Sequence, residues 1–185
     1  YEDLRDGLRS FDGVIAFGMT PLYMGDTGEV QRAFGVLASG NYFEALGLGA
    51  AAGRFFTPAE AEARAPVAVI SYGVWQSRFG GRAGIAGERL RVNGVDLTVT
   101  GVAPRGFHGT VLGLSFDLWV PATIAPLIVR GTRELEDRRA RGYAVMGRLR
   151  GDVSREQAQA EAAALMARLA SAYPETNANL TAEIV

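Results

Sequence analysis

Val69-Ile70-Ser71-Tyr72-Gly73 has the order strand, serine, glycine, helix, the layout that raises a nucleophilic hydroxyl on a tight turn. The glycine that such an elbow needs two residues before the serine is missing; Val69 stands there. A serine nucleophile also needs a base, and the single histidine, His108, sits in a glycine-rich stretch with no orienting carboxylate beside it. A helix cap accounts for Ser71 with fewer requirements. Gly47-Leu48-Gly49-Ala50-Ala51-Ala52-Gly53 imitates a dinucleotide fingerprint, but those glycines must join a strand's end to a helix's start so that the helix amides face a pyrophosphate. Here they follow a short helix and enter a loop, so they read as a tight connection. Glu44, Glu60 and Glu62 are candidate acid/base carboxylates, yet their spacing sets no two across a cleft, and Glu60 is better explained as a cap. Arg150-Gly151-Asp152 reads as a turn, and Trp75, Phe79 and Trp119 read as core.

The absences are as informative. There is no cysteine, hence no thiol nucleophile, thiolate metal site or disulfide. One histidine forbids any two-histidine metal motif. All 19 basic residues are arginine, which removes the phosphate-loop and Schiff-base lysines together. A net charge of -1 gives no electrostatic handle for nucleic acid. No residue is therefore assigned a catalytic, cofactor-binding or metal-binding role; neither enzyme activity nor a cofactor is expected.

Those side chains need a scaffold, and 185 residues suffice for one ordinary domain or two small ones. A chain of this size buries roughly 70% of its unfolded surface, so its core needs no staples. The longest apolar runs, Pro66–Ile70 and Leu46–Ala52, fall far short of the ~20 residues of a spanning helix. With Tyr1 first and no basic-then-apolar leader, the chain is expected to be a piece of something longer.

Glu2–Leu8 reads as a helical turn. Phe11–Met19 with Leu22–Met24 reads as a strand interrupted at Pro21, followed by turn residues at 25–28 and a second strand, Val30–Ala38, paired as a hairpin. Tyr42–Leu46 is a short helix capped by Gly47. Thr57-Pro58-Ala59-Glu60 is a capping box opening a helix to about Arg64. Pro66–Ile70 is a buried strand, and Ser71 caps a helix, Tyr72–Phe79, that ends at Gly80-Gly81. Asn93-Gly94 predicts a two-residue hairpin pairing Val92 with Val95, Arg91 with Asp96 and Leu90 with Leu97, one face apolar and one charged. Phe116–Val120 is a further strand, Thr132–Arg141 a solvated helix or loop, and Tyr143–Leu149 a strand. Ser154 opens the longest helix, to Tyr173, about 28 Å long, which packs on a sheet through Ala158, Ala162, Leu165, Leu169 and Ala172. Leu180–Val185 is expected to be a last strand. This is an α+β pattern with an antiparallel hairpin at its centre, suggesting two related halves and an insert.

The order of segments carries a resemblance. Ser39-Gly40-Asn41-Tyr42-Phe43-Glu44-Ala45-Leu46-Gly47 is followed by Gly53-Arg54-Phe55-Phe56-Thr57, then Pro66-Val67-Ala68-Val69-Ile70-Ser71-Tyr72-Gly73-Val74-Trp75 and Arg78-Phe79-Gly80-Gly81. Val92-Asn93-Gly94, Val99-Thr100-Gly101-Val102-Ala103-Pro104 with Gly106-Phe107, Asp117-Leu118-Trp119-Val120-Pro121 and Gly147-Arg148-Leu149 complete it. Over residues 11–174 the chain resembles the periplasmic core domain of MacB-type ABC transporter permeases, especially orphan permeases without a fused ATPase. The resemblance implies a porter-like subdomain of strand–helix–strand units, 1–52 and 142–185, with a second α/β subdomain inserted at 53–141. It implies no catalytic residues.

The function it implies is mechanical. A domain on the periplasmic or extracellular face, anchored by transmembrane helices, couples their movement to substrate export or release. The implied partners are a second permease copy, a separate ABC ATPase subunit and a periplasmic adaptor. The insert and the Phe11–Ala38 hairpin are the candidate contact surfaces, which predicts exposed apolar residues there. The rival readings are an extracytoplasmic ligand-binding module, which needs a concave pocket with convergent polar groups, and the Ser71/His108 hydrolase.

Overall fold

Side-chain caps start three of the helices, and one two-residue turn sets the register of the central hairpin. In the computed structural model, which describes residues 1–26 and 28–185, the elements in chain order are α1 (Glu2–Gly7), β1 (Phe11–Met24), β2 (Gln31–Ala38), α2 (Tyr42–Ala45), β3 (Ala52–Gly53), α3 (Pro58–Glu62), β4 (Val67–Ile70) and α4 (Tyr72–Phe79). There follow β5 (Arg89–Val92), β6 (Val95–Val102), β7 (Leu118–Pro121), a single 3₁₀ turn, α5 (Ala125–Ile128), β8 (Ala144–Leu149), α6 (Arg155–Ala172) and α7 (Pro174–Asn177). Of the turn expected at 25–28, Thr27 lies outside the described residues. Both capping boxes form: Thr57 with Glu60, and Ser154 with Gln157. The Ser71 hydroxyl accepts the Val74 N–H at 3.1 Å, and Gly80 closes α4 with φ +62°. Asn93 and Gly94 both take positive φ, and the hairpin pairs Val92 with Val95, Arg91 with Asp96 and Leu90 with Leu97, as the turn chemistry requires.

All the strands belong to one sheet. Its path runs β2-β7-β4-β6-β5-β1, and β1 also pairs β2, so six strands close into a ring. The seam is narrow: β1 meets β5 at Met24 and Val92 alone, with Gly25 donating to the Arg91 carbonyl beside it. β8 pairs the first half of β1, and β3 pairs the end of β6. Alternation then gives the ring an inside and an outside. Inside lie Leu22, Leu37, Ile70, Leu90, Leu97 and Leu118 with their neighbours, closed over by Val74 and Phe79 of α4 and Ile128 of α5. A side chain at Gly35 would run into Leu22, so the filling leaves no room there.

A second cluster covers one outer flank. Val36, Val69 and Trp119 turn outward and pack against Tyr42 and Phe43 of α2, Phe56 and Phe116. Phe43 stacks on Phe55 at 4.0 Å and Phe107 on Trp119 at 5.3 Å. Strands from 1–52 and from 53–141 contribute to both clusters and to the ring.

Three expectations shift and a fourth narrows. Pro21 does not interrupt β1, because its missing N–H faces away from β2; the neighbouring odd residue, Tyr23, likewise turns its backbone groups to Asn93 rather than to β2. Of the two readings of residues 132–141, helix or loop, the structure takes the loop, formed of turns. The buried face of α6 stops at Leu165, with Leu169 half-buried and Ala172 exposed. Leu180–Val185 is not a strand: it runs extended along α6, with the Gln159 amide donating to the Ala182 carbonyl and accepting the Ile184 N–H, both at 2.8 Å. The local pattern was strand-like, but its partner turned out to be a helix side chain.

Candidate interaction surface

The side chains singled out for chemistry do not converge. Ser71 is held by its cap, while His108 Nδ1 lies 3.4 Å from the Ser115 hydroxyl in the loop before β7. The glycine run leads out of α2 into β3: Gly47 ends the helix at φ +68°, and Gly53, at φ +65°, lies against the Thr100 carbonyl. Glu60 closes its capping box and pairs with Arg54 at 2.7 Å; that guanidinium holds its carboxyl down at about 2. Glu44 and Glu62 are exposed, and among the described residues no three His, Cys, Asp or Glu cluster as metal ligands. Arg150 and Asp152 pair across their turn at 3.1 Å. Trp119 is fully buried; Trp75 is half-buried and donates to the Arg82 carbonyl. Burial pushes the Tyr143 hydroxyl up to about 12.

What the fold does present is surface. On the hairpin of β1 and β2, odd residues of β1 and even residues of β2 face outward, pairing Met19 with Val36, Pro21 with Phe34 and Tyr23 with Arg32. Val36 is covered by the aromatic cluster, but Met19, Tyr23 and Phe34 are 52%, 54% and 49% exposed. The patch continues across a cleft of about 490 Å³ whose walls include Pro21, Tyr23, Val95, Leu127 and Arg130. In the insert, Leu112 is fully exposed at the tip of the loop before β7, with Leu114 and Leu135 also exposed. These are the two regions where exposed apolar residues were expected.

The cleft is a poor ligand pocket. Its one charged side chain is Arg130, and its Asn93 amide is already engaged, accepting the Tyr23 N–H and donating to the Ile128 carbonyl, both at 2.8 Å. That clamp was invisible in the sequence, where Asn93 read only as a turn residue. So was Arg138, which pairs with Asp3 at 2.7 Å and lies 3.7 Å from the Tyr173 ring centroid, tying residues 132–141 to α1 and to the end of α6. Arg138 stood among five arginines in a charged run, and nothing in the run distinguished it. No described helix is long and apolar enough to cross a membrane.

The family model described as MacB-like periplasmic core domain matches residues 1–165. Among solved structures the chain is similar to the extracellular domain of the noncanonic ABC-type transporter YknZ from Gram-positive bacteria, at 18% identity and a TM-score of 0.69, over 94% of this chain and 83% of that one. It is similar also to the periplasmic region of MacB from Actinobacillus actinomycetemcomitans, at 17% identity and a TM-score of 0.69, over 95% of this chain and 75% of that one. At these identities the likeness is one of fold. No curated protein matches the chain.

Proposed function

Because the chain belongs to the MacB-like periplasmic core domain family, we propose that it is the extracytoplasmic part of an ABC transporter permease and works by movement rather than by chemistry. It lies on the periplasmic or extracellular face, anchored by transmembrane helices outside this sequence. Two copies, one per permease, face each other and shift as rigid bodies when those helices move, coupling a separate ATPase subunit to export or release of substrate. A periplasmic adaptor is the further partner. Residues 53–141 are an insertion into a porter-like unit of 1–52 and 142–185: β1 and β8, one from each flanking segment, pair directly, and the insert leaves after β3 begins and returns before β8. The family match across 1–165, spanning both segments, is the observation that carries the reading.

The chain has no cysteine, so a Leu112→Cys variant places one reporter within it on an exposed loop tip. In cells carrying the whole permease, a membrane-impermeant maleimide should label it without lysis. Spin labels at the same position in two copies should change their separation between the nucleotide-free and ATP-bound transporter. Labelling only after lysis defeats the placement; an unchanged separation defeats the coupling.

A further inference from the structure

We propose that two copies of this chain pair through the outer face of the β1–β2 hairpin, about a two-fold axis along β1. Phe34 of each copy enters the cleft between Tyr23 and Leu127 of the other, and Asp117 of each meets Arg130 of the other. This rests on the reading that two copies face each other, and adds the face by which they meet.

A contact between identical faces needs a surface that complements itself. This one does so first in shape. Phe34 stands half exposed on β2, with the Arg32 guanidinium 5.4 Å from its ring centroid. Pro21 is cross-strand from Phe34 and also lines the cleft of about 490 Å³, so ring and cleft lie side by side across β1. Neighbouring strands are about 4.8 Å apart, and a half-turn about a line along β1, in the plane of the contact, exchanges the two positions. The ring of each copy then enters the cleft of the other, where Leu127, 53% exposed, forms the far wall. Met19 and Tyr23, on the line itself, meet their own counterparts and lose their exposure.

The charges follow the same plan. Near the face stand Arg32 and Arg130 with Glu29, Asp117 and Glu134, none of them in a salt bridge among the described residues. Together they carry no net positive charge to hold an anionic lipid surface, yet both signs remain free. Asp117 accepts the Phe34 N–H at 2.9 Å, so a carboxylate accompanies the ring, and Arg130 stands at the cleft that receives it. The half-turn therefore sets acid against base at both ends of the contact. A foreign partner must bring a ring, a cleft, an acid and a base in this one arrangement; a second copy brings all four by construction. Two domains held in one transporter meet at about millimolar effective concentration, so a Kd of about 1 mM is enough to pair them and weak enough to let them part.

The test is sedimentation and amide NMR of the 185-residue chain at concentrations up to about 1 mM, with phosphatidylglycerol vesicles as a second probe. The chain should self-associate, with shifts at residues 19–23, 32–34 and 127–130. Phe34→Ser should weaken the association at least about tenfold. Asp117→Arg and Arg130→Asp should each weaken it at least about tenfold, and an equimolar mixture of the two should restore it, because each supplies the charge that the other lacks. Asp117→Asn, which keeps an acceptor for the Phe34 N–H, should weaken it about threefold and replaces Asp117→Arg if that variant does not fold. No association at about 1 mM, association that these substitutions leave intact, folded charge variants that do not rescue one another, or binding to vesicles alone would overturn the proposal. The labelling and distance experiment above uses Leu112, outside this patch. Its success beside absent self-association removes only this face, and its failure beside self-association through the hairpin removes only the permease placement.

Discussion

Asn93 carries two separable duties, and substitutions can divide them. Its φ of +50° is part of the hairpin turn, and its side chain holds Tyr23 and Ile128 together at the seam of the ring. Asn93→Gly keeps the turn and loses the clamp, leaving a strand N–H and a carbonyl without their partner, and should cost about 1–3 kcal/mol in urea unfolding. Asn93→Ala loses both and should cost about 1 kcal/mol more. Equal losses would show that the positive φ contributes nothing, and an unchanged stability in Asn93→Gly would remove the clamp. Glu60 gives a pH-dependent counterpart. Its folded-state carboxyl lies at about 2 against an ordinary 4.5, so folding favours the ionised form. Its stabilisation is complete above about 4.5 and disappears as pH falls towards 2. Glu60→Gln should therefore be less stable than the parent at neutral pH, by about 1 kcal/mol after solvent screening, with the gap closing over that window. A gap unchanged down to pH 2 would mean that packing or capping, not charge, is responsible.

At the level of elements, what was legible was local. The caps at Thr57, Ser71 and Ser154 and the register from Asn93-Gly94 each depend on residues within a few positions of one another, and all form as read. The closure of six strands into a ring was not legible, since β2 with β7 and β4 with β6 are parallel pairings set by cores far apart in sequence. Leu180–Val185 failed for the same reason: a strand-like pattern says nothing of what will lie beside it. The apolar hairpin face could be suspected from the sequence, but its exposure needed the ring. Gly101 shows how tight that ring is where β3 crosses β6. A side chain there would strike the carbonyls of Arg54 and Ala52, whereas Gly84 faces open space. Gly101→Ala should lower stability by more than about 2 kcal/mol, and Gly84→Ala should stay within about 0.5 kcal/mol. Comparable values would mean that β3 is not held against β6.

For the molecule as a whole, the flanking unit of α1, β8 and α6 joins the ring through β1 and is itself held together by a few side-chain ties. Glu161 accepts the N–H groups of Arg9 and Ser10 at 2.9 Å, Leu165 lies against Gly7, and Arg138 bridges Asp3 and Tyr173. The Arg138 contacts are partly solvent-exposed, so Arg138→Ala should lower global stability by no more than about 1 kcal/mol. It should nevertheless speed amide exchange in α1, which is otherwise held by Leu165 against Gly7 and by the Tyr1 hydroxyl on the Val14 carbonyl; unchanged exchange there would remove Arg138 from the tie. The way the flanking unit is attached also decides how the domain bears tension. Phe11 and Leu149 are opposite one another at one end of an antiparallel ladder, with α1 just before and α6 just after. A pull on Tyr1 and Val185 therefore loads that ladder rung by rung, as tape peels, before the load reaches the half of β1 that lies in the hoop of six strands. In a single-molecule pull from the two ends, α6 and β8 should come away first in a short, low-force step, and the hoop should rupture later as one piece.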